Sequence, residues 1–141
     1  MKSDDFKGDK MRSLLLVLGL FVIVSAHSTC LKIADITTLT GKLVMKTYSG
    51  PDDVPKPYKR FVLELDRPLD CVVDIDDTFP EWNKDVTVIL TTTAMYDGVP
   101  KYINKHVSIT GDAILADNAY DFTAIVILLR EINNYTEFDK K

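Results

Sequence analysis

Short segments in which apolar residues recur at every second position restrict the fold of this chain more than any other feature. They run from Leu39 to Lys46, from Phe61 to Asp66, from Val86 to Thr91 and from His106 to Gly111. A period of two is typical of a β-strand that buries one face. A further segment, Ile125 to Leu129, is apolar throughout, as in a strand covered on both sides. The sequence therefore predicts a mostly β protein.

The connections between these strands carry turn-forming residues. Ser49 to Pro57 contains three prolines, which cannot donate to a β-ladder, so it is predicted as a loop. Cys71 to Ile75 is predicted as a short extended piece that runs into an acidic turn. Before the fourth long strand, Asp97–Gly98 is predicted as a turn, and Pro100 is predicted to open one or two helical turns through Ile103.

About five short strands with one brief helical insertion favour a small OB-like five-stranded Greek-key barrel with one short helix. Gly111 favours closure, because a glycine inside a strand marks a bulge or the tight bend that closes a barrel. A β-sandwich is the alternative that the pattern leaves open. We predict the barrel over residues 36–132, an N-terminal segment over 27–35 and a polar C-terminal tail over 133–141.

Residues 1–26 are typical of a secretory signal peptide. Four basic residues precede the apolar run Leu14 to Val24, which ends at the small residues Ser25 and Ala26. Met11 is an alternative start, Ser28 an alternative cleavage position, and an uncleaved leader or a lipid anchor on Cys30 is the rival to cleavage. No second run of this kind follows, so no transmembrane span is predicted after the signal peptide. The chain is expected to be exported, to the periplasm or the medium.

The net charge argues against a nucleic-acid ligand. Removal of residues 1–26 leaves 13 basic and 18 acidic residues, a net charge of −5. Phosphate contacts need clustered lysines and arginines, and the sequence has no such cluster. No cofactor is predicted either, because the sequence contains no glycine-rich phosphate loop.

The cysteines Cys30 and Cys71 both follow the leader. In an oxidising compartment an even pair is expected to form a disulfide. Two unrelated buried thiols are the alternative. A bridge would close a loop of about 40 residues and stabilise the fold by roughly 4 kcal/mol on the chain-entropy model.

Three segments resemble a bacterial domain of unknown function, family 4431: Leu-Thr-Gly-Lys-Leu at 39–43, Phe-Val-Leu-Glu-Leu-Asp-Arg-Pro-Leu-Asp-Cys-Val at 61–72 and Asn-Lys-His-Val-Ser-Ile-Thr-Gly at 104–111. The likeness covers about residues 36–132, with Cys71 one position later than in the family pattern. It implies a small exported domain and no particular activity. The family's histidine-rich stretch corresponds here to 112–123, which contains no histidine, so no metal or proton role is carried over.

The residues provide little for catalysis. His106 is predicted as a half-exposed strand residue, and His27 lies at the predicted cleavage region, so neither a hydrolytic triad nor a zinc site can be assembled. Asp74, Asp76 and Asp77, with Asp70 nearby, form an acidic turn that could hold calcium. The EF-hand glycine and glutamate are missing at their required positions, and a solvated turn that protects a sheet edge is the favoured interpretation. The chain is not predicted to be an enzyme.

The predicted binding residues lie in the loop before the last strand and near the acidic turn. They combine aromatic, amide and carboxylate groups: Asp117, Asn118, Tyr120, Asp121, Phe122 and Trp82. The loop between the last two strands of an OB barrel helps to form its binding face. A plain hairpin turn is the alternative for the loop, and Trp82 is expected to be buried rather than exposed.

These observations favour an exported, non-catalytic module that binds a protein or a component of the cell envelope. A sharper version is an inhibitor or immunity protein for a basic enzyme that acts on the envelope, since opposite charge would steer the two together. The alternatives are a small carboxylate-dependent hydrolase and a calcium-binding envelope domain. Nucleic-acid binding through the barrel face ranks last, because the net charge and export oppose it.

Overall fold

A computed structural model describes residues 30–50, 56–72 and 82–136. The predicted signal peptide and the acidic turn at Asp74, Asp76 and Asp77 lie outside these ranges. The strands are β1 (Ile36–Ser49), β2 (Pro57–Leu65), β3 (Asp85–Ile89), β4 (His106–Leu115) and β5 (Ile125–Asn134). Between β3 and β4 lie helix α1 (Thr93–Gly98) and a 3₁₀ turn, Val99–Tyr102. In the described part of the chain, no helix is long and apolar enough to cross a membrane.

The strands form a closed barrel in the order β1-β2-β3-β5-β4, and β1 also pairs with β4. All neighbours are antiparallel except β3 and β5, which run parallel. This ring of five strands with one helix between the third and the fourth is the OB arrangement, so the predicted fold class is confirmed. Closure through the β1–β4 ladder excludes the β-sandwich.

Two glycines allow the barrel to close. Gly41 belongs to both ladders of β1, and a Cβ atom there would overlap the carbonyl oxygen of Glu64 on β2. At Gly111 the β4–β5 register shifts, and a Cβ atom would overlap the carbonyl oxygen of Leu128. The register leaves Arg130 as the extra residue on β5. The bulge that Gly111 predicts is therefore present.

Aliphatic side chains of alternate strand positions fill the barrel. The largest fully buried ones in the core are Leu43, Leu63, Ile109, Ile125, Ile127 and Leu129. The inward positions of β4 match the predicted alternation, and so do Gly41 and Leu43 on β1, but Met45, which the same alternation predicts to face inward, is 38% exposed. The apolar segment of β5 is buried on both faces, with Val126 as inaccessible as Ile125 and Ile127.

The prediction of a turn at Asp97–Gly98 is wrong, because these residues end α1. Met95, Val99 and Tyr102 recur at spacings of four and three, and all three pack on the core cluster. This helical spacing buries more apolar surface than a turn at Asp-Gly would, so tertiary packing overrides the local preference. Pro100 lies in the 3₁₀ turn, close to the helical turns predicted there.

Four strands, β1, β2, β4 and β5, extend beyond their predicted ends. Ser49 and Pro57, assigned to a loop, form the last pair of the β1–β2 ladder, since a proline at the first position of a strand need not donate to it. The polar residues Asn133 and Asn134, assigned to the tail, continue β5 by pairing with Ser108 and Val107. Backbone N–H and C=O groups form ladder hydrogen bonds whether the side chain is polar or apolar, provided that a partner strand lies beside them.

The predicted disulfide between Cys30 and Cys71 is confirmed, with the two Cα atoms 4.8 Å apart. It ties the N-terminal segment to the chain after β2. Leu31 pairs in parallel with Val72, and its N–H donates to the carbonyl oxygen of Cys71 at 3.0 Å. Of the extended piece predicted at Cys71–Ile75, the structure describes only this bridge, since residues 73–75 lie outside the described ranges.

Candidate binding surface

The β4–β5 loop, residues 116–124, is ordered by its own polar side chains. Asp121 Oδ2 accepts hydrogen bonds from the N–H of Asp117 and from Asn118 Nδ2, each at 3.0 Å. Asn118 Oδ1 in turn accepts from the N–H of Tyr120 at 2.9 Å. Three of the predicted binding residues therefore shape the loop, which is more than a plain hairpin turn.

Four aromatic rings meet where this loop crosses the end of the β1–β2 hairpin, and we call them the aromatic cluster: Tyr48, Tyr58, Tyr120 and Phe122. The rings of Tyr48 and Phe122 stack in parallel, with centroids 4.5 Å apart and 1° between their planes. Tyr58 lies edge-on to Tyr120 at 5.3 Å and tilted against Phe122 at 6.0 Å. Tyr120 keeps 40% of its surface exposed. The cluster thus joins the loop to the barrel and presents a ring to solvent.

The guanidinium group of Arg60 lies over this cluster. Its Cζ atom is 5.4 Å from the centroid of Tyr58 and 5.6 Å from that of Phe122, both within cation–π range. Its Nη1 donates to the carbonyl oxygen of Lys59 at 3.0 Å. Arg60 makes no ion pair with a residue that the structure describes. Among the described residues, the guanidinium group of Arg60 is thus held by aromatic rings and a carbonyl oxygen and not by a carboxylate.

Lys46, opposite Arg60 on β1, has two carboxylate partners. Its Nζ lies 2.6 Å from Asp85 Oδ2 and 3.2 Å from Glu64 Oε1. Burial by itself would lower the pKa of Lys46, but the hydrogen bonds and charges of the two carboxylates outweigh it and raise the pKa. Burial also raises the pKa of Tyr48. Lys46 therefore stays charged while its positive charge is locally balanced.

The loop also covers the outside of the sheet. Val62, Thr87 and Val126 occupy one cross-strand row on the outer face, yet each is at most 1% exposed. Thr123 binds Thr87 twice, accepting from its N–H at 3.0 Å and lying 2.7 Å from its hydroxyl oxygen. Thr123 then donates to the carbonyl oxygen of Ile125 at 2.7 Å. The strand face on which OB domains bind ligands is thus partly occupied by this chain's own loop.

Trp82 lies apart from the aromatic cluster. It packs against the core but is only half-buried, so its exposure lies between the two expected alternatives. The proposed calcium ligands Asp74, Asp76 and Asp77 lie outside the described residues. Within the described ranges, no three histidine, cysteine or acidic residues are grouped to hold a metal ion.

His106 is a half-exposed strand residue, as predicted. Its Nε2 lies 2.6 Å from Asp66 Oδ2, both side chains are 39% exposed, and its ring is edge-on to Tyr135 at 4.8 Å. The pair joins the start of β4 to the residue after β2. This geometry is that of a surface hydrogen-bonded pair, at the far end of β1 and β2 from the aromatic cluster.

Tyr48, Tyr58 and Arg60 are the parts of the surface that the sequence did not reveal. The first predicted strand ends at Lys46, the second begins at Phe61 and the predicted loop covers Ser49 to Pro57, so both tyrosines were assigned to neither a strand nor the loop. A hairpin centred on that loop would have placed Tyr48 opposite Tyr58, as observed. The available signal was therefore the equal spacing of the two tyrosines from the centre of the turn.

Models of known protein families give no match to this chain, and no curated protein matches it. The assignment of a function consequently depends on the fold and on the surface formed by the loop, the aromatic cluster and Arg60.

Proposed function

We propose that this chain is an exported, non-catalytic binding module that recognises a protein or a cell-envelope component through the aromatic cluster and Arg60. The observation that carries the proposal is that rings from the β4–β5 loop and from the paired ends of β1 and β2 meet beneath Arg60, which makes no ion pair with a described residue. Tyrosine and arginine are the residues most enriched at binding hot spots. In OB barrels, the loops after β1 and before β5 are those that contact ligands.

Export is supported by two independent features. The leader pattern of residues 1–26 is that of a secreted protein, and the Cys30–Cys71 disulfide is of a kind that persists in oxidising compartments. The resemblance to the domain of unknown function, family 4431, agrees with this proposal. N-terminal sequencing of the mature protein tests it, and a first residue at Met1 or Met11 would contradict cleavage.

The partner that we favour is a basic protein of the envelope, for which this chain would act as an inhibitor or immunity protein. The chain carries a formal net charge of −4 with its leader and −5 without it, which would speed association with a basic surface. The loop residues Asp117 and Asp121 lie next to the aromatic cluster, and their negative charge has the same sign as the net charge of the chain.

Affinity capture from an envelope extract, followed by titration with the purified captured protein, tests the proposal. Tyr58→Ala and Tyr120→Ala should each weaken binding at least about tenfold, as expected for hot-spot aromatics. Tyr135→Ala is the matched control, since Tyr135 lies beside His106 at the other end of β1 and β2. Equal affinity for all three variants and the wild type would exclude the aromatic cluster as the binding surface.

A further inference from the structure

A shallow groove of about 380 Å³ adjoins the aromatic cluster where β3 ends and the chain leads into α1. Its lining consists of two cations, four apolar side chains and one tyrosine: Lys59, Arg60, Phe61, Val88, Ile89, Leu90 and Tyr96. No carboxylate is among the described residues that line it. In a chain with four more acidic than basic residues, such a lining marks a local preference for a negatively charged group.

Arg60 belongs to both the groove and the surface over the rings. A guanidinium group has five N–H donors, and within the described ranges Arg60 makes one hydrogen bond, to the carbonyl oxygen of Lys59. The carboxylates on neighbouring outer positions, Glu64 and Asp85, bind Lys46 instead. The rings hold the guanidinium in place, so little side-chain entropy is lost when it binds an anion.

Tyr96 provides the aromatic side of the groove. It stands on α1 and is 61% exposed, whereas the preceding residue, Met95, packs against the core. A large exposed ring beside Ile89 and Leu90 offers apolar contact area next to the two cations. The groove therefore combines an anion-binding group with a place for an apolar side chain.

We propose that this groove binds an acidic peptide segment of a protein partner, with one carboxylate on Arg60 and an apolar side chain between Ile89 and Tyr96. A single carboxylate suits the two-pronged donor geometry of one arginine. A nucleic acid would need several phosphate contacts, and the groove offers two cations on an acidic protein. The inference rests on the proposed function in taking the ligand to be a protein, and it requires the basic partner to present one acidic segment to Arg60.

The test titrates the full mature chain with blocked peptides and follows its backbone amide resonances. The probe alternates leucine or phenylalanine with glutamate, and its control carries glutamine in place of each glutamate. The glutamate peptide should shift amides near Arg60 and Tyr96 and bind at least about tenfold more tightly than the glutamine peptide, the loss expected for a charge-assisted hydrogen bond. Arg60→Ala and Tyr96→Ala should each abolish either the difference in affinity between the two peptides or the binding of both.

Matched variants keep the test independent of folding. Arg67→Ala removes an exposed arginine that lines a different cavity, and it should bind the glutamate peptide as the wild type does. Arg60→Lys keeps the charge but not the planar fork, so binding should be intermediate. If Arg60→Ala fails to fold, Tyr96→Ala and Arg60→Lys carry the comparison, because Tyr96 is largely exposed.

Equal binding of the two peptides, or shifts far from the groove, would overturn the inference. Tighter binding of a short oligothymidine than of the glutamate peptide would overturn the choice of a peptide. The capture experiment depends on Tyr58 and Tyr120, which do not line the groove. If the peptide does not bind but Tyr58→Ala still weakens capture, only the assignment of the groove is wrong. If the peptide binds as expected but Tyr58→Ala leaves capture unchanged, only the assignment of the aromatic cluster as the binding surface is wrong.

Discussion

Lys46 and Arg60 face each other directly across the β1–β2 ladder, yet their charged groups have different partners. The ammonium group of Lys46 binds Asp85 and Glu64, and the guanidinium group of Arg60 lies over Tyr58 and Phe122. Like charges in directly opposed positions destabilise a sheet unless they are separated or compensated. Two carboxylates compensate the lysine, whereas none of the described carboxylates pairs with the arginine, which is why Arg60 is central to both proposals.

Alkaline pH should destabilise the wild type more steeply than Tyr48→Phe. Burial raises the pKa of Tyr48 in the folded state, so its contribution to stability is complete below the unfolded value of 10.0 and is lost as pH rises through the folded pKa. The raised pKa of Lys46 acts in the same direction above 10.5. Urea unfolding between about pH 8 and about pH 11 measures both effects. Parallel pH curves for the two proteins would contradict the assignment to Tyr48.

Replacing Gly111 with alanine should destabilise the barrel by more than about 2 kcal/mol, because the new Cβ atom would overlap backbone in β5. Gly98→Ala is the matched control. Nothing lies within 4 Å of a Cβ atom at Gly98, which is at the end of α1, so the substitution should stabilise by about 0.5 kcal/mol. Chemical denaturation measures both, and equal effects of the two substitutions would be inconsistent with the close approach at Gly111.

Loss of the disulfide should lower the free energy of unfolding by up to about 4 kcal/mol, the chain-entropy value for a loop with a sequence separation of 41. The double variant Cys30→Ala, Cys71→Ala avoids reductants in the denaturation measurement. Amide exchange of Leu31 should also accelerate, because its N–H donates to Cys71 in the bridged segment. Unchanged stability together with unchanged exchange would show that the bridge does not anchor this segment.

The stacked rings of Tyr48 and Phe122 should be energetically coupled. A double-mutant cycle with Tyr48→Ala and Phe122→Ala should give a coupling of about 0.5–1.5 kcal/mol, the range for such aromatic pairs. A parallel cycle with Tyr48→Ala and Tyr135→Ala serves as the control, since Tyr135 lies edge-on to His106 instead. Additive effects in the first cycle would mean that the Tyr48–Phe122 stack does not help to hold the loop.

The number of strands, the helical turn at Pro100 and the bulge at Gly111 were predicted from local sequence patterns. Period-two alternation reports burial of one strand face, which is a property of neighbouring residues. The ends of the strands could not be predicted in this way. Ser49, Pro57 and Asn134 were placed outside the strands, because whether a terminal residue pairs depends on the partner strand. The helix at Thr93–Gly98 was also missed, since its reason is the packing of Met95 and Val99 on the core.

Part of the candidate surface was likewise predicted from the sequence, and part of it was not. The loop residues Tyr120 and Phe122 stood out in the sequence because they are aromatic residues in a polar connection. Their partners Tyr48 and Tyr58 did not, because they are separated from the loop by about 60 or more positions and meet it only when the barrel closes.

By itself, the sequence determined the class of fold, the pairing of Cys30 with Cys71 and the position of the loop before the last strand. The fold class and the loop position depend on patterns among neighbouring residues. Two cysteines can form only one intramolecular disulfide. Only the tertiary structure decided that Lys46 has two carboxylate partners, while Arg60 lies on the rings and pairs with none of the carboxylates in the described ranges. Which charge is balanced and which is available depends on distances across strands, and no linear pattern encodes those distances.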